Sequence, residues 1–234
     1  MADTLIDNKN ILPDSGIRQR YKLQRHIVSI SVTVTVVLMA ICAWFYMAFS
    51  SVHVMDLGMG SNLKVSGLRE QWLRGDVVVM IRHAERCDRS TNPCMADADG
   101  ITSNGREAAL AVGAGLQKMG MQHVQMIASP KTRTQQTAQL LAGHAVTGQE
   151  WINDCDGDFM KVVQAHKVSG ENLVLVTHSG CIDQFERKLG VPGGERSSEY
   201  AQAFFVQMDG SHRPKILGSL NAGQWVNLSR EQFN

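Results

Sequence analysis

The chain has 234 residues, of which 44% are hydrophobic and 19% are charged. This composition excludes an intrinsically disordered chain, and the length suffices for one domain of ordinary size with an extension. The formal net charge of +1 supplies no basic field, so we expect no nucleic-acid partner.

The first predicted element is a helix long enough to cross a membrane. Residues 27–49 carry no charged side chain, and a bilayer requires about 20 apolar residues. We expect an uncleaved transmembrane anchor, because the apolar stretch is longer than in a signal peptide and the polar segment 1–26 precedes it. A cleaved signal, with Ala48 and Ser50 as its small residues, is the alternative. Basic residues cluster before the span, so we expect a cytoplasmic amino terminus and an exported remainder.

The cysteines agree with export. Cys42 lies inside the span, and four more follow it, Cys87, Cys94, Cys155 and Cys181. An even number in an oxidising compartment indicates two disulfides. Because Cys87 and Cys94 flank one short loop, we favour Cys87–Cys94 with Cys155–Cys181, while other pairings stay open. A zinc cluster is disfavoured because no CxxC spacing occurs, and we expect no metal.

Strands and helices alternate after the anchor. Residues 50–75 are predicted to form a linker that ends in a short helix, with packing residues Leu63, Leu68, Trp72 and Leu73. Strands are predicted at residues 77–81, 124–128, 146–151, 173–177, 203–208 and 215–220. Helices are predicted at residues 103–119, from residue 129 onward, at 159–168 and at 181–189. This alternation predicts a three-layer α/β/α domain with a mainly parallel central sheet over residues 76–234.

Charged and polar residues follow the predicted strands where each strand ends. Arg82 and His83 follow the first strand, and His178 follows the fourth. Arg133 lies near the start of the helix after the second strand, on the same face as its predicted N-cap, Ser129. Ligands of open α/β sheets bind at the carboxyl ends of the strands, so we expect these side chains to converge on one pocket.

Two arginines and two histidines, without metal-ligand spacing, are typical of a site for a tetrahedral oxyanion. A guanidinium matches phosphate oxygens with paired hydrogen bonds and stays charged at any workable pH. Its charge disfavours the cationic form of a neighbouring histidine, so that one ring nitrogen is free to attack phosphorus. Such a site also needs an acid for the leaving oxygen.

At these residues the sequence resembles the histidine phosphatase superfamily, which includes the cofactor-dependent phosphoglycerate mutases. The pair Arg82-His83 is similar to the family signature, with Ala84 where glycine is commoner. The resemblance implies that His83 is the phosphorylated nucleophile. It also implies that Arg82, Arg133 and His178 bind the phosphoryl group, that His178 stabilises the transition state, and that no cofactor is needed.

A narrower resemblance concerns residues 82–94, RHAERCDRSTNPC, and residues 100–102. Together with the positions of Cys155 and Cys181, they resemble the lipopolysaccharide core heptose phosphatases of the bacterial envelope. This resemblance implies a periplasmic phosphatase. With the predicted anchor, we expect a single-pass protein of the bacterial inner membrane with its catalytic domain in the periplasm. Its substrate would be a lipopolysaccharide core sugar or another phosphorylated small molecule.

The proton donor is the least determined part of the predicted site. The acid-phosphatase branch of the family has an aspartate where this chain has Ser179. The mutase branch places its acid after the third strand, where this chain has Glu150, Asp154 and Asp156. We choose Asp154, with Glu85 as an alternative because it lies beside the nucleophile.

Asn92 and Ser129, with Glu85, are further candidates for substrate contact, although each of the first two also suits a turn or a cap. Two other functions stay open. One is a phosphotransferase or mutase of the same superfamily. The other is a catalytically silent envelope module that binds phosphate through the same arginines.

Overall fold

The computed structural model describes residues 15–49, 52–155, 157–196 and 198–228. The chain divides into two compact units, Met1–Ser51 and Val52–Asn234. Three predictions fall on residues outside the described ranges. They concern most of the cytoplasmic segment, the cleavage-site residue Ser50 and the alternative acid Asp156.

The described residues of the first unit form one helix, α1 (Ser15–Phe49). Its part Lys22–Tyr46 is long and apolar enough to cross a membrane by length and composition, and all of its side chains are exposed. The helix begins before the predicted span and includes the basic residues Arg20 and Arg25. A signal sequence near the amino terminus can also meet this criterion of length and composition.

The second unit is an α/β domain. Its helices are α2 (Asn62–Val65), α3 (Leu68–Arg74), α4 (Ser103–Met119), α5 (Thr132–Ala142), α6 (Phe159–His166) and α7 (Ser179–Lys188). Its strands are β1 (Val77–Arg82), β2 (Val124–Ala128), β3 (Thr147–Gly148), β4 (Asn172–Thr177), β5 (Ala203–Gln207) and β6 (Lys215–Leu220). Short 3-10 turns occur at Cys87–Arg89, Glu150–Ile152 and Ala222–Asn227.

The six strands form one sheet in the order β3-β2-β4-β1-β5-β6. The first four in this order are parallel, whereas β5 pairs antiparallel with both β1 and β6. The predicted α/β class with a mainly parallel sheet is confirmed, and so is an apolar helix before it.

Side chains of the central strands alternate between two apolar cores, one on each face of the sheet. Val79 of β1 lies in the same core as Leu116 of α4 on one face, and Met80 lies in the same core as Phe159 of α6 and Phe185 of α7 on the other. Full burial of one such side chain stabilises the fold by about 1.5–3 kcal/mol. Because β1 and β4 bury side chains on both faces, the sheet lies between two layers of helices, as predicted.

The predicted linker packs against the domain and forms α2 and α3. Leu63, Leu68 and Trp72 are buried in the core as predicted, and Leu57 is buried with them. Leu73 was also predicted to pack, but it is 63% exposed. Successive helical residues point about 100° apart, so a short helix that buries Trp72 turns its neighbour towards solvent.

Among the predicted boundaries that differ from those of the structure, two are explained by pairing in the sheet. Helix α5 begins at Thr132 with Lys131 as its N-cap, not at Ser129. The reason is that the backbone N–H of Ser129 donates to the carbonyl of Val176 at 3.0 Å, which continues the pairing of β2 with β4 beyond the strand end. The third strand is reduced to Thr147–Gly148, because this exposed edge segment has no buried face that would favour longer pairing.

The four cysteines of the second unit form the two predicted disulfides. Cys87–Cys94 closes the loop after β1, and Cys155–Cys181 joins the segment after the Glu150–Ile152 turn to α7. The Cα atoms of each pair are 5.2 Å apart. Cys42 in α1 is free and exposed.

Candidate active site

The carboxyl ends of β2, β4 and β1 lie side by side and bring together the loops that carry the predicted site. The backbone N–H of His83 donates to the carbonyl of Thr177 at 2.9 Å, so the residues after β1 and β4 leave the sheet together. Ser129, after β2, is joined to β4 in the same way. Three loops from distant parts of the sequence therefore share one edge of the sheet.

His83 is buried, with 3% of its surface exposed, and both ring nitrogens have partners. Its Nδ1 lies 2.8 Å from the carbonyl oxygen of Ala84, which can only accept, so Nδ1 carries the proton. The Nε2 lone pair accepts from Nε of Arg133 at 3.3 Å. The unprotonated nitrogen of His83 therefore faces a guanidinium group.

The environment of His83 keeps its ring neutral. Burial lowers the pKa of His83 to about 3, and the positive charges of Arg133 and Arg82 and the nearby His178 act in the same direction. The hydrogen bond to Ala84 opposes this shift but does not reverse it. A neutral imidazole keeps a lone pair for attack near neutral pH.

His178 also interacts with Arg133, through the other end of the guanidinium. The Nη2 group of Arg133 lies 3.5 Å from Nδ1 of His178, and the Nε2 of His178 lies 3.0 Å from the hydroxyl of Ser129. That hydroxyl donates at 3.4 Å to the side-chain oxygen of Asn153. The rings of His83 and His178 are 5.4 Å apart between centroids.

Burial also lowers the pKa of His178, to about 4, and the charges of Arg133, Lys131 and Arg86 act in the same direction. Both histidines are therefore neutral in the free protein at pH 7. A neutral His178 whose Nδ1 accepts from Arg133 has its proton on Nε2, where it donates to Ser129.

Arg82 lies on the other side of His83. Its Nη1 donates to the carbonyl of Ser198 at 2.7 Å, and its Cζ lies 3.8 Å from the centroid of the Tyr200 ring. Its Nε is buried and has no hydrogen-bond partner among the described residues. Part of the guanidinium is therefore held by the protein, and the remaining N–H groups are available to an anion.

Glu85 and Asn92 are brought together, but in contact with each other. The Glu85 carboxylate accepts hydrogen bonds from Thr102 at 2.6 Å, from Asn92 at 2.9 Å and from Ser90 at 3.0 Å. These donors lower the pKa of Glu85. A carboxylate held in this way is a better hydrogen-bond acceptor than a proton donor.

Helix α4 approaches the loop of Glu85 closely at Gly105. A Cβ atom added to Gly105 would lie 2.9 Å from the backbone nitrogen of Glu85, so a glycine there lets α4 approach this loop.

Two of the predicted acids after β3, Asp154 and Glu150, are exposed, whereas Asn153, the residue before Asp154, reaches Ser129. In the described part of the chain, no three His, Cys, Asp or Glu side chains come together as a metal site.

Three polar residues of the site were not among the predicted site residues. Asn153 is adjacent in sequence to Asp154, and Thr137 lies one turn after Arg133 on α5, so each had a local signal. Thr137 accepts from the backbone N–H of Ala84 at 3.0 Å and donates to the carbonyl of Arg133 at 2.7 Å. Tyr200 had no such signal, because its contact with Arg82 joins segments far apart in the sequence.

Comparisons with known proteins cover part of the chain. Residues 78–155 match the sequence model of the histidine phosphatase superfamily (branch 1). The lipopolysaccharide core heptose(II)-phosphate phosphatases of Salmonella typhi and Salmonella newport (strain SL254) are each 37% identical over 109 residues, which is 45% of this chain and 54% of each relative. The chain therefore spans about half the length of these curated relatives.

Solved structures of low sequence identity also align with the chain. A phosphoserine phosphatase mutant from Entamoeba histolytica aligns with a TM-score of 0.47 and 15% identity, over 63% of this chain and 98% of that one. A phosphoglycerate mutase from Bacillus anthracis str. Sterne aligns with a TM-score of 0.44 and 13% identity, over 66% and 97%. The sequence match over residues 78–155, which include His83 and Arg133, confirms the predicted resemblance of this chain to the histidine phosphatase superfamily.

Proposed function

We propose that this chain is a phosphomonoesterase that works through a phosphohistidine on His83. The observation that carries the proposal is the state of this ring. It is buried and neutral, and its unprotonated Nε2 faces the guanidinium of Arg133. A phosphoryl group bound by that guanidinium would have its phosphorus next to a nucleophile that needs no base to activate it.

The proposed reaction has two steps. In the first, Nε2 of His83 attacks phosphorus, the N–P bond forms, and the bond from phosphorus to the leaving oxygen breaks. In the second, water attacks the phosphohistidine and gives a proton to the acid that protonated the leaving oxygen, the N–P bond breaks, and inorganic phosphate leaves. Arg82, Arg133 and His178 are proposed to hold the phosphoryl oxygens, and fixed positive charge around them lowers the barrier of both steps.

Asp154 is our proposed proton donor for the leaving oxygen. Asp154 follows Asn153, whose side chain reaches the site. The alternative acid, Glu85, accepts hydrogen bonds that favour its charged form. We expect Asp154→Asn to lower kcat more for an alkyl phosphate than for an aryl phosphate, because an alkoxide needs a proton more than a phenolate does. Equal effects on both substrates would remove Asp154 from this role.

Variants of His83 test the proposed nucleophile. We expect His83→Ala to lose nearly all turnover of a generic aryl phosphate, while EDTA leaves wild-type turnover unchanged. His123→Ala is the matched control, because His123 is exposed at the amino end of β2, away from the strand ends that carry the site. Chelator-sensitive turnover, or full turnover by His83→Ala, would refute the proposal.

The proposed substrate is a phosphorylated heptose of the lipopolysaccharide core, and the proposed location is the bacterial inner membrane with the catalytic domain in the periplasm. The names of the relatives from Salmonella, the apolar helix α1 and the two disulfides support this. We expect mass spectrometry of the core from cells without the protein to show additional phosphate. An unchanged phosphate count in strains matched for expression would reject this substrate and leave the phosphatase proposal standing.

A silent phosphate-binding module is the second candidate. It is favoured by the hydrogen-bonded state of Glu85 and by the exposure of Asp154. Both functions predict phosphate binding, so the decisive measurement is the trapping of phosphate on His83 after brief exposure to substrate. Acid-labile, base-stable phosphate there supports the enzyme. Its repeated absence with intact phosphate binding supports the module.

A further inference from the structure

The ring of Tyr200 covers the Arg82 guanidinium beside the candidate nucleophile. The Cζ atom of Arg82 lies 3.8 Å from the ring centroid, a cation–π geometry. The same ring lies 5.7 Å from the ring of His83 between centroids, tilted by 43°. Tyr200 is half-buried, and its ring is therefore part of the wall around these two residues.

The contacts of Arg82 leave room for a ligand. One nitrogen, Nη1, donates to the carbonyl of Ser198, and Nε is buried without a partner among the described residues. A buried donor without an acceptor is costly unless a ligand completes it. The ring holds the plane of the guanidinium, and the hydrogen bond to Ser198 fixes its rotation, so the unused N–H groups keep one direction.

The backbone next to Tyr200 is held in a rare conformation. Ala201 has a φ of 56°, the one positive φ of a non-glycine residue in the described ranges. Its N–H lies 3.1 Å from the carbonyl of Arg82 and 3.4 Å from that of His83, and the N–H of Arg82 donates to Gln202 at 3.1 Å. Such a conformation persists where surrounding contacts impose it, and it often occurs at functional sites. Here these hydrogen bonds join the segment that contains Tyr200 to Arg82 and to the proposed nucleophile, His83.

We propose that Tyr200 is a positioning residue that holds the Arg82 guanidinium for the phosphoryl group of the substrate, and that it acts mainly through the face of its ring. This rests on the proposed function, because it assumes that Arg82 binds phosphate. A side-chain hydrogen bond with Tyr200 also acts on Arg82 and opposes the lowering of its pKa by burial. The face contact at 3.8 Å is the interaction that a phenyl ring would keep, since it provides nearly the same surface to a guanidinium.

The test compares Tyr200→Phe and Tyr200→Leu in the full chain in detergent. We expect Tyr200→Leu to weaken binding of inorganic phosphate, measured by 31P NMR, by about 10-fold. We expect KM for an aryl phosphate to rise by a similar factor. Tyr200→Phe should stay within about twofold of wild type in both measurements, because it keeps the ring.

A double-mutant cycle with Arg82→Met, which removes the cation over the ring, separates positioning from a general structural role. If Tyr200 acts through Arg82, adding Tyr200→Leu to Arg82→Met should weaken phosphate binding little further. A full additional loss, or a Tyr200→Phe variant as weak as Tyr200→Leu, would overturn the proposal. A Tyr200→Trp variant provides a second aromatic replacement if Tyr200→Leu unfolds, and it should bind phosphate better than Tyr200→Met.

The phosphate measurement also distinguishes this proposal from the proposed function. If wild type binds phosphate but does not hydrolyse the aryl phosphate, the phosphatase proposal fails, and the phosphate affinities of the variants still decide the role of Tyr200. If wild type hydrolyses the aryl phosphate but does not bind inorganic phosphate at all, the role given to Tyr200 is overturned and the phosphatase proposal stands.

Discussion

His83 and His178 are neutral because the fold buries them beside fixed positive charge. Burial is the largest cause of both shifts, and it lowers the pKa of His83 to about 3 and that of His178 to about 4. In an unfolded chain both side chains would titrate near 6.5. The burial that keeps both rings neutral for phosphoryl chemistry therefore destabilises the folded state at low pH.

These shifts predict that stability falls on acidification. Between pH 6.5 and about pH 4 the unfolded chain binds more protons than the native one, so the free energy of unfolding decreases as the pH decreases. Above about pH 6.5 neither form carries these protons, and the penalty is absent. Replacement of His83 by Asn, which does not titrate, should make this fall shallower.

Urea unfolding of wild type and His83→Asn at pH 7 and pH 4.5 measures the effect. We expect wild type to lose more stability than the variant between the two pH values. Parallel losses would show that His83 is not neutral through burial. Because His178 is retained in the variant, part of the wild-type dependence should persist.

At the scale of elements, Thr137 joins helix α5 to the loop that carries the nucleophile. Its hydroxyl accepts from the backbone N–H of Ala84 and donates to the carbonyl of Arg133. It is fully buried, so neither group has water as a substitute. One side chain thus holds the residue after His83 against the helix that positions Arg133.

We expect Thr137→Val to lower the free energy of unfolding by about 1–3 kcal/mol, because the replacement keeps the shape and leaves the N–H of Ala84 unpaired. We also expect turnover to fall, because the position of His83 relative to Arg133 loosens. Chemical denaturation and steady-state kinetics measure the two effects.

Thr132→Val on the same helix is the control, because the Thr132 hydroxyl donates to Asp99 at the surface. Its cost should stay within about 0.5 kcal/mol. An equal loss of stability in both variants would refute the role given to Thr137.

At the scale of the whole molecule, both disulfides hold loops of the candidate site. Cys87–Cys94 closes the loop that contains Asn92, and Cys155–Cys181 joins the segment next to Asp154 to the helix after His178. Closing so short a loop as the first stabilises the fold by about 2–3 kcal/mol in the chain-entropy model. The bonds therefore act on the site as well as on the fold.

We expect thiol titration of the denatured, unreduced full chain to find one reactive cysteine, Cys42, and none in a Cys42→Ser variant. Mild reduction should lower turnover before it unfolds the domain, because the loops of the site loosen first. Additional reactive thiols in the unreduced chain would contradict both bonds and weaken the proposed periplasmic location. Simultaneous loss of turnover and fold would contradict only their effect on the site.

Much of the framework was determined by the sequence alone. The apolar runs of β1 and β4 predict strands buried on both faces, and the α/β class follows from the alternation of strands and helices. The convergence of His83, Arg133 and His178 also follows, because the ends of neighbouring parallel strands share one edge. The pairing Cys87–Cys94 required only that the two residues lie close in the chain. All of these depend on local pattern or short separation.

Only the tertiary structure decided the rest. Ser129 was predicted to cap a helix, yet it pairs with β4 and faces His178. Leu57 is buried in the core although no packing role was predicted for it, and Tyr200 lies on Arg82. Each of these positions is selected by contacts between segments far apart in the sequence. Local propensity contains no information about such contacts, because their free energy arises only when the folded chain brings the partners together.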